Sequence, residues 1–205
     1  PRAAFLKRLA YEHCVDGYKF WPGEAANLSI GQGDVLVTPL QLAVAYAAIV
    51  GDGKVRSPRV GWAIVAPDGK VIKEITPPVI GEVPVPAHVR HYIRRALSQV
   101  PSDGTAAGAF QGFPFHKVNV GGKTGTAEVY GKEDTSWFAS FAPAENPRFV
   151  VVVMVSQGGM GAETAAPAVR RIYEGIYGIG RKPALPGGRP PDRPPVIAPD
   201  GTVTP

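Results

Sequence analysis

One short segment of the chain brings together a basic side chain, two hydroxyls and several glycines. Residues 120–131 have the sequence Val-Gly-Gly-Lys-Thr-Gly-Thr-Ala-Glu-Val-Tyr-Gly. Two kinds of chemistry use such a segment. Gly122-Lys123-Thr124 resembles the end of a phosphate-binding loop. Lys123-Thr124-Gly125-Thr126 is typical of the substrate-facing strand of an enzyme that attacks with a serine.

The phosphate-loop interpretation is disfavoured by both spacing and context. Such a loop needs a first glycine five positions before Gly122, and that position holds Lys117. It also needs a helix directly afterwards, whose N-terminus points at the phosphate. The residues that follow, 127–131, instead have an extended character and end at a glycine.

The strand interpretation gives each of the four residues a chemical use. Lys123 supplies a positive charge that can hold a carboxylate and organise the proton network of a nearby serine. Thr124 and Thr126 are two positions apart, so on a strand their hydroxyls share a face and both can bind a carboxylate. Gly125 lets a substrate backbone approach closely. The N–H of Thr126 can provide half of an oxyanion hole.

The elements around this segment predict an antiparallel sheet. Strand candidates span residues 118–130, 136–142 and 149–156, and the links between them are short. Consecutive strands with short links pair antiparallel. The third candidate is apolar throughout, so we expect cover on both of its faces. In the second, alternation directs one of Trp137 and Phe138 towards the core, and Trp137 is a candidate for substrate binding.

The remaining pattern predicts helices on the two sides of that sheet. Thr38 and Pro39 begin an apolar helix that Gly51 ends, and its apolar surface predicts burial in a core. An amphipathic helix is expected over 87–100 and another over about 163–177. The other predictions are a short helix over 3–13, a loop over 27–33, a hairpin over 62–73 and a proline-marked linker over 77–86. The predicted fold class is therefore α+β, an antiparallel sheet flanked by helices.

Composition and charge limit the other classes of function. The net charge of +5 comes from scattered bases, and the densest cluster is Arg90, His91, Arg94 and Arg95. That cluster lacks the interleaved aromatics of a nucleic-acid site, so we expect no nucleic-acid partner. Cys14 is the one cysteine, and no Cys/His spacing suits a metal. Residues 181–205 contain eight prolines and no periodicity, which predicts a disordered tail after a domain part at 1–180.

Several stretches together resemble the C-terminal part of the transpeptidase domain of class B penicillin-binding proteins. They cover roughly residues 27–178. Thr38-Pro39-Leu40-Gln41 favours the elongation-type, PBP2-like branch over the septal one. The stretches are Ile30-Gly31-Gln32-Gly33, the Val37–Ala43 run, Gly104-Thr105-Ala106, the Gly122–Glu128 run, Trp137-Phe138 and Phe141-Ala142-Pro143.

The family's nucleophile is absent from this sequence. The resemblance implies a serine in a Ser-x-x-Lys motif, with Ser-x-Asn as a further motif, and no serine here begins either one. We therefore expect the chain, which begins with Pro1, to be the second half of the domain. Alone, it is expected not to be acylated. The nucleophile would come from an upstream segment of the same protein.

For the intact protein, the resemblance implies crosslinking of peptidoglycan stem peptides that end in D-Ala-D-Ala. Lys123, Thr124, Gly125 and Thr126 would serve catalysis, and Thr124, Thr126 and Trp137 would hold the substrate. β-Lactams would trap the serine, and neither cofactor nor metal is implied. A membrane anchor outside this chain, the extracytoplasmic face, and glycosyltransferase and scaffold partners of the elongation machinery are further implications. A penicillin sensor, a D,D-carboxypeptidase and a non-catalytic scaffold remain as alternatives.

Overall fold

The computed structural model describes residues 2–16, 20–33 and 35–180, together with the backbone of residues 196–197 and 203–204. The chain divides into two compact units, residues 1–36 and 37–205.

The described residues of the first unit contain two helices, of which the sequence predicted one. Helix α1 spans Arg2–Asp16 and confirms the short helix expected over 3–13. Helix α2 spans Pro22–Ser29, where the Trp21 N–H donates to the Glu24 carboxylate at 2.7 Å. The loop predicted for 27–33 is therefore wrong over its first three residues. The turn begins only at Ile30, and Gly31 follows it with a positive φ of 79°.

The second unit opens with a helix whose ends match the sequence. Helix α3 spans Pro39–Val50, and Thr38 and Gln41 form a reciprocal capping box with hydrogen bonds of 3.2 and 2.8 Å. The predicted burial holds only for its C-terminal end, where Ala48 and Val50 are buried. Leu40 is 58% exposed in the structure.

Four short strands connect α3 to the next helix. Strands β2 (Ala63–Val65) and β3 (Val71–Glu74) form the predicted hairpin. Strand β1 (Lys54–Arg56) pairs with β4 (Val79–Glu82), so the linker predicted for 77–86 contains a strand that the sequence did not reveal. Helix α4 spans Ala87–Ser98, as the amphipathic pattern predicts.

The core of the unit is the predicted three-stranded antiparallel sheet. Strands β5 (Gly121–Ala127), β6 (Thr135–Ala142) and β7 (Phe149–Val155) lie in that order. The glycine-rich strand β5 is an edge and pairs with β6 alone among the described residues. Helix α5 spans Ala165–Tyr177 and ends at Gly178, whose φ of 66° is left-handed.

The sheet lies between α5 on one face and α3 on the other, and β7 contacts both helices. Alternate residues therefore face two clusters. The α5-side cluster has as its buried members Ala106, Phe110, Phe113, Val118, Val120, Phe138, Ala142, Ala165, Ala166, Val169 and Tyr173. The α3-side cluster consists of Val50, Phe141 and Ala144, with Tyr46, Leu97 and Val150 partly buried beside them.

Most of the tail predicted for residues 181–205 lies outside the described residues. Within it, Val196–Ile197 (β8) pairs antiparallel with Val203–Thr204 (β9). The disordered tail therefore stays a prediction. The boundary at residue 180 stays a prediction.

Candidate active site

The Lys123–Thr126 segment lies in the middle of edge strand β5, as the strand interpretation predicts. Two glycines precede it because aromatic rings lie directly over their α-carbons. A side chain at Gly121 would collide with the ring of Phe141, and one at Gly122 would come within 2.9 Å of the ring of Phe138. Phe138 and Phe141 are both fully buried, so neither ring can move aside easily to admit a side chain at these two positions.

Thr124 is the centre of a small polar cluster at the open edge. Its Oγ1 lies 2.8 Å from Oγ1 of Thr105, a residue in the turn after α4. The ammonium of Lys123 donates to the carbonyl oxygen of Thr124 at 2.9 Å and approaches its Oγ1 at 3.4 Å. One charged donor and two hydroxyls therefore lie together at an exposed position.

Thr126 lies on the same face as Thr124, as predicted, but it has a different partner. Its Oγ1 accepts a hydrogen bond from the N–H of Gly161 at 3.2 Å. Gly161 belongs to the loop between β7 and α5, so this hydroxyl ties the loop to the strand. The hydroxyls of Thr124 and Thr126 therefore have different hydrogen-bond partners, although the sequence predicted the same role for both.

Buried Ser136 holds the same loop in place from the neighbouring strand. Its hydroxyl donates to the carbonyl of Met160 at 3.1 Å and accepts from the N–H of Ala165 at 3.1 Å. Ser136 is the cross-strand partner of Thr126, so the hydrogen bonds that hold the loop come from directly neighbouring residues of β5 and β6. Gly161 is required there, since a side chain would collide with the carbonyl oxygens of Gly125 and Trp137.

Trp137 lies apart from the threonine hydroxyls. It pairs with Gly125 and is half-buried. Because successive residues of a strand face opposite sides, Trp137 lies on the opposite face from its neighbour Phe138, which is fully buried. The prediction that one of these two aromatics faces the core is confirmed. A Cβ added to Gly125 would lie 3.1 Å from Cβ of Trp137, so the two residues are in close contact on this face. The structure thus brings Lys123, Thr124 and Thr126 together and places Trp137 behind them.

Two residues of the site escaped the sequence reasoning, Thr105 and Gly161. Gly104-Thr105-Ala106 stood out in the sequence, but no role followed from it because its contact with Thr124 joins residues 19 positions apart. Gly161 was hidden among the glycines of a loop.

In the described part of the chain, no three His, Cys, Asp or Glu residues are grouped as a metal site would require. None of the described helices has the length and apolar character of a membrane crossing.

Comparison with known proteins decides the family. Residues 14–174 match the penicillin binding protein transpeptidase domain. The chain belongs to this family. It is 30% identical over 169 residues to the peptidoglycan D,D-transpeptidase MrdA of Haemophilus influenzae, covering 74% of this chain and 25% of that protein. It is 34% identical over 190 residues to the penicillin-binding protein PbpB of Mycobacterium tuberculosis, covering 83% and 27% respectively.

Solved transpeptidase structures support the same assignment of fold. The imipenem acyl-enzyme complex of penicillin-binding protein A from M. tuberculosis superposes with a TM-score of 0.58 at 29% identity, over 71% of this chain and 32% of that one. The α+β fold class is therefore confirmed. The chain spans about a quarter of the length of the two curated relatives. Similar identities to two differently named relatives leave the elongation-type branch a prediction.

Proposed function

We propose that this chain is the C-terminal part of a peptidoglycan D,D-transpeptidase and supplies one wall of its active site. The observation that carries the proposal is the cluster of Lys123, Thr124 and Thr105 on the open edge of β5. An edge strand can take an extended peptide alongside it, as in other cases of strand addition. A peptide that ends in a carboxylate would find positive charge and hydroxyl donors at that edge.

The reaction we propose is a two-step acyl transfer through a serine outside this chain. The serine oxygen forms an ester with the penultimate D-Ala carbonyl carbon of a stem peptide, and the bond to the terminal D-Ala breaks. That D-Ala leaves as a free amine after gaining the proton released by the serine. An amine from a neighbouring stem then attacks the ester, forms the crosslinking amide and restores the serine.

Each site residue has a role in this proposal that suits its position. Lys123 stabilises negative charge near the serine, and its ammonium is already held at the strand by the Thr124 carbonyl. Thr124 and Thr126 hold the terminal carboxylate. Residues two positions apart on a strand direct their N–H and C=O groups to the same side. Because the Thr124 carbonyl binds the Lys123 ammonium at the open edge, the N–H of Thr126 should face that edge too. There it can donate a hydrogen bond to the oxyanion. Gly125 leaves room for the substrate backbone, and Trp137 would contact the substrate from behind the strand.

β-Lactams and the cellular setting belong to the same proposal. A relative with the same fold forms an acyl-enzyme with imipenem, and we extend β-lactam binding to the complete protein. Work at the extracytoplasmic face, attachment to the membrane outside this chain, and partners in the elongation machinery follow from the function of wall crosslinking. These remain parts of the proposal.

The test is intact-mass spectrometry after exposure to benzylpenicillin. The 205-residue chain and a longer form that includes the upstream segment are compared. We expect a covalent adduct on the longer form alone, at an upstream serine. An adduct on the shorter chain would contradict the division of the site, and no adduct on either would favour a non-catalytic scaffold.

A lysine variant tests the role of the edge strand in the longer form. Lys123→Ala should lower the rate of acylation by at least about a hundredfold, the scale of a lost proton-transfer or charge-stabilising group. Lys132→Ala, an exposed lysine in the turn after β5, is the matched control and should leave the rate unchanged. Product analysis with a stem peptide and an acceptor amine then separates crosslinking from simple loss of D-Ala, the carboxypeptidase alternative.

A further inference from the structure

Thr105 belongs to the polar cluster at the open edge, yet the chemistry proposed above assigns it no task. It is exposed, and its Oγ1 lies 2.8 Å from that of Thr124. Thr105 is exposed and Thr124 is partly buried, and one hydrogen bond between hydroxyls that water can reach adds little stability. The contact between the two hydroxyls therefore indicates a role in the site rather than a contribution to stability.

The backbone around Thr105 is fixed although its side chain is exposed. The residues at 101 and 106 on either side of it are buried, and the Ala106 N–H donates to the Val100 carbonyl at 3.2 Å. Gly104 allows this tight turn, because a Cβ there would lie 2.8 Å from Cα of Val100. Thr105 is thus presented to Thr124 by a turn that the α5-side cluster anchors.

The numbers of protons and lone pairs limit how the three groups can arrange themselves. An ammonium only donates, so Thr124 Oγ1 must act as the acceptor towards Lys123. A hydroxyl has one proton and two lone pairs. If Thr105 also donates to Thr124, both lone pairs are occupied and the single proton of Thr124 is directed away from its two neighbours.

We propose that Thr105 is a positioning residue of the carboxylate subsite. Its hydroxyl donates to Thr124 Oγ1 and thereby aims the Thr124 proton at a ligand carboxylate bound along the open edge of β5. This rests on the proposed function. It adds that Thr105, a residue outside the Lys123–Thr126 segment, helps the site to distinguish ligands that carry a carboxylate from ligands that do not.

The experiment compares acylation of the longer form by benzylpenicillin and by its methyl ester, which lacks the carboxylate. The wild-type protein should react faster with the acid. Thr105→Val should lower the rate with the acid by about tenfold, the scale of one hydrogen bond to a charged group. It should leave the rate with the ester within about twofold. Thr105→Ser, which keeps the hydroxyl, should restore the preference for the acid.

Thr76→Val is the matched control, since Thr76 is an exposed threonine away from the three-stranded sheet. It should leave both rates unchanged. Equal losses with acid and ester in Thr105→Val would show a purely structural role and overturn the proposal, as would an unchanged ratio in a folded variant. If Thr105→Val does not fold, Thr105→Ala is measured in the same way. Failure of the wild-type protein to react with either compound would instead contradict the proposed function.

Discussion

The two faces of the β5–β6–β7 sheet bury very different numbers of side chains. On the α5 side, aromatic residues from three segments meet in one continuous cluster around Phe110 and Phe138. On the α3 side, Phe141 and Val50 lie in a much smaller cluster, and α3 keeps exposed apolar residues. Thr105 and Gly161, the partners of the two site threonines, both come from segments that pack on the α5 side. The hydroxyls of the site are therefore held by the better packed face.

The largest effect should separate two phenylalanines of one strand. Phe138 and Phe141 are both fully buried but face opposite clusters. Replacing a buried Phe by Ala costs about 3–5 kcal/mol, with the higher values where the surroundings cannot collapse. Phe138→Ala should fall at the upper end of that range and Phe141→Ala about 1 kcal/mol lower. Unfolding free energies from urea denaturation provide the measurement, and an equal or reversed order would break the comparison.

A glycine that joins the α5 side to the site should give the next largest effect. A side chain at Gly161 would collide with two carbonyl oxygens of β5 and β6, so the loop must move and its hydrogen bond to Thr126 must lengthen. Gly161→Ala should destabilise the protein by about 1–3 kcal/mol, as overpacking does, and should slow acylation of the longer form.

Gly175→Ala in α5 is the control for that prediction. Apart from the adjacent residues and the backbone of the helix itself, no heavy atom lies within 4 Å of a Cβ placed at Gly175, so this variant should be neutral or slightly stabilising. Denaturation curves and acylation rates of the two variants should diverge. Similar curves would show that the loop adapts without cost.

A smaller effect should report the polar link inside the α5-side cluster. The Tyr173 hydroxyl lies 3.1 Å from that of Ser140, which also donates to the Val151 carbonyl at 2.8 Å. Tyr173→Phe removes this link and should cost about 1 kcal/mol of unfolding free energy. Tyr92→Phe, at a residue that is 71% exposed, should cost nothing measurable. A neutral Tyr173→Phe would mean that the hydroxyl adds no stability to this face.

The smallest effect is a loss of unfolding free energy at alkaline pH, to which a buried tyrosine in each of the two clusters contributes. Burial raises the pKa of Tyr46, on the α3 side, from 10.0 to about 12, and raises that of Tyr173, which is more deeply buried. Above pH 10 the unfolded chain loses the phenol proton while the folded chain keeps it. This contribution to stability is therefore present below pH 10 and is lost as the pH rises towards the folded pKa.

At pH 10.5 the Tyr46 contribution should be about 0.8 kcal/mol smaller than at pH 7. Tyr46→Phe should abolish that part of the pH dependence, and Tyr173→Phe should abolish a part at least as large. Unfolding free energies between pH 7 and 10.5 provide the check. A steeper contribution from Tyr46 than from Tyr173 would contradict the difference in burial.

The local parts of this fold were predictable and the distant contacts were not. Thr38 and Pro39 predicted the start of α3, and alternation predicted that one of Trp137 and Phe138 faces the core. Strands β1 and β4 were missed because they are three and four residues long and are separated by 22 residues, so neither carries a pattern of its own.

The candidate site divides in the same way. Lys123 to Thr126 were identifiable because one strand carries them all. Thr105 and Gly161 became visible only in three dimensions, since the sheet brings them to Thr124 and Thr126 from 19 and 35 positions away. Helix α2 was missed because glycine, asparagine and serine within Pro22–Ser29 suggested a loop.

The open edge of β5 also has a consequence for how the protein behaves in solution. Unpaired N–H and C=O groups along an edge strand accept any extended chain, including the same strand of a second molecule. Lys123 is the charged side chain on this strand, and a lysine on an edge disfavours such pairing through charge repulsion. Replacing it with an apolar residue would therefore increase the tendency to self-associate, so Lys123 favours solubility in addition to its proposed role in catalysis.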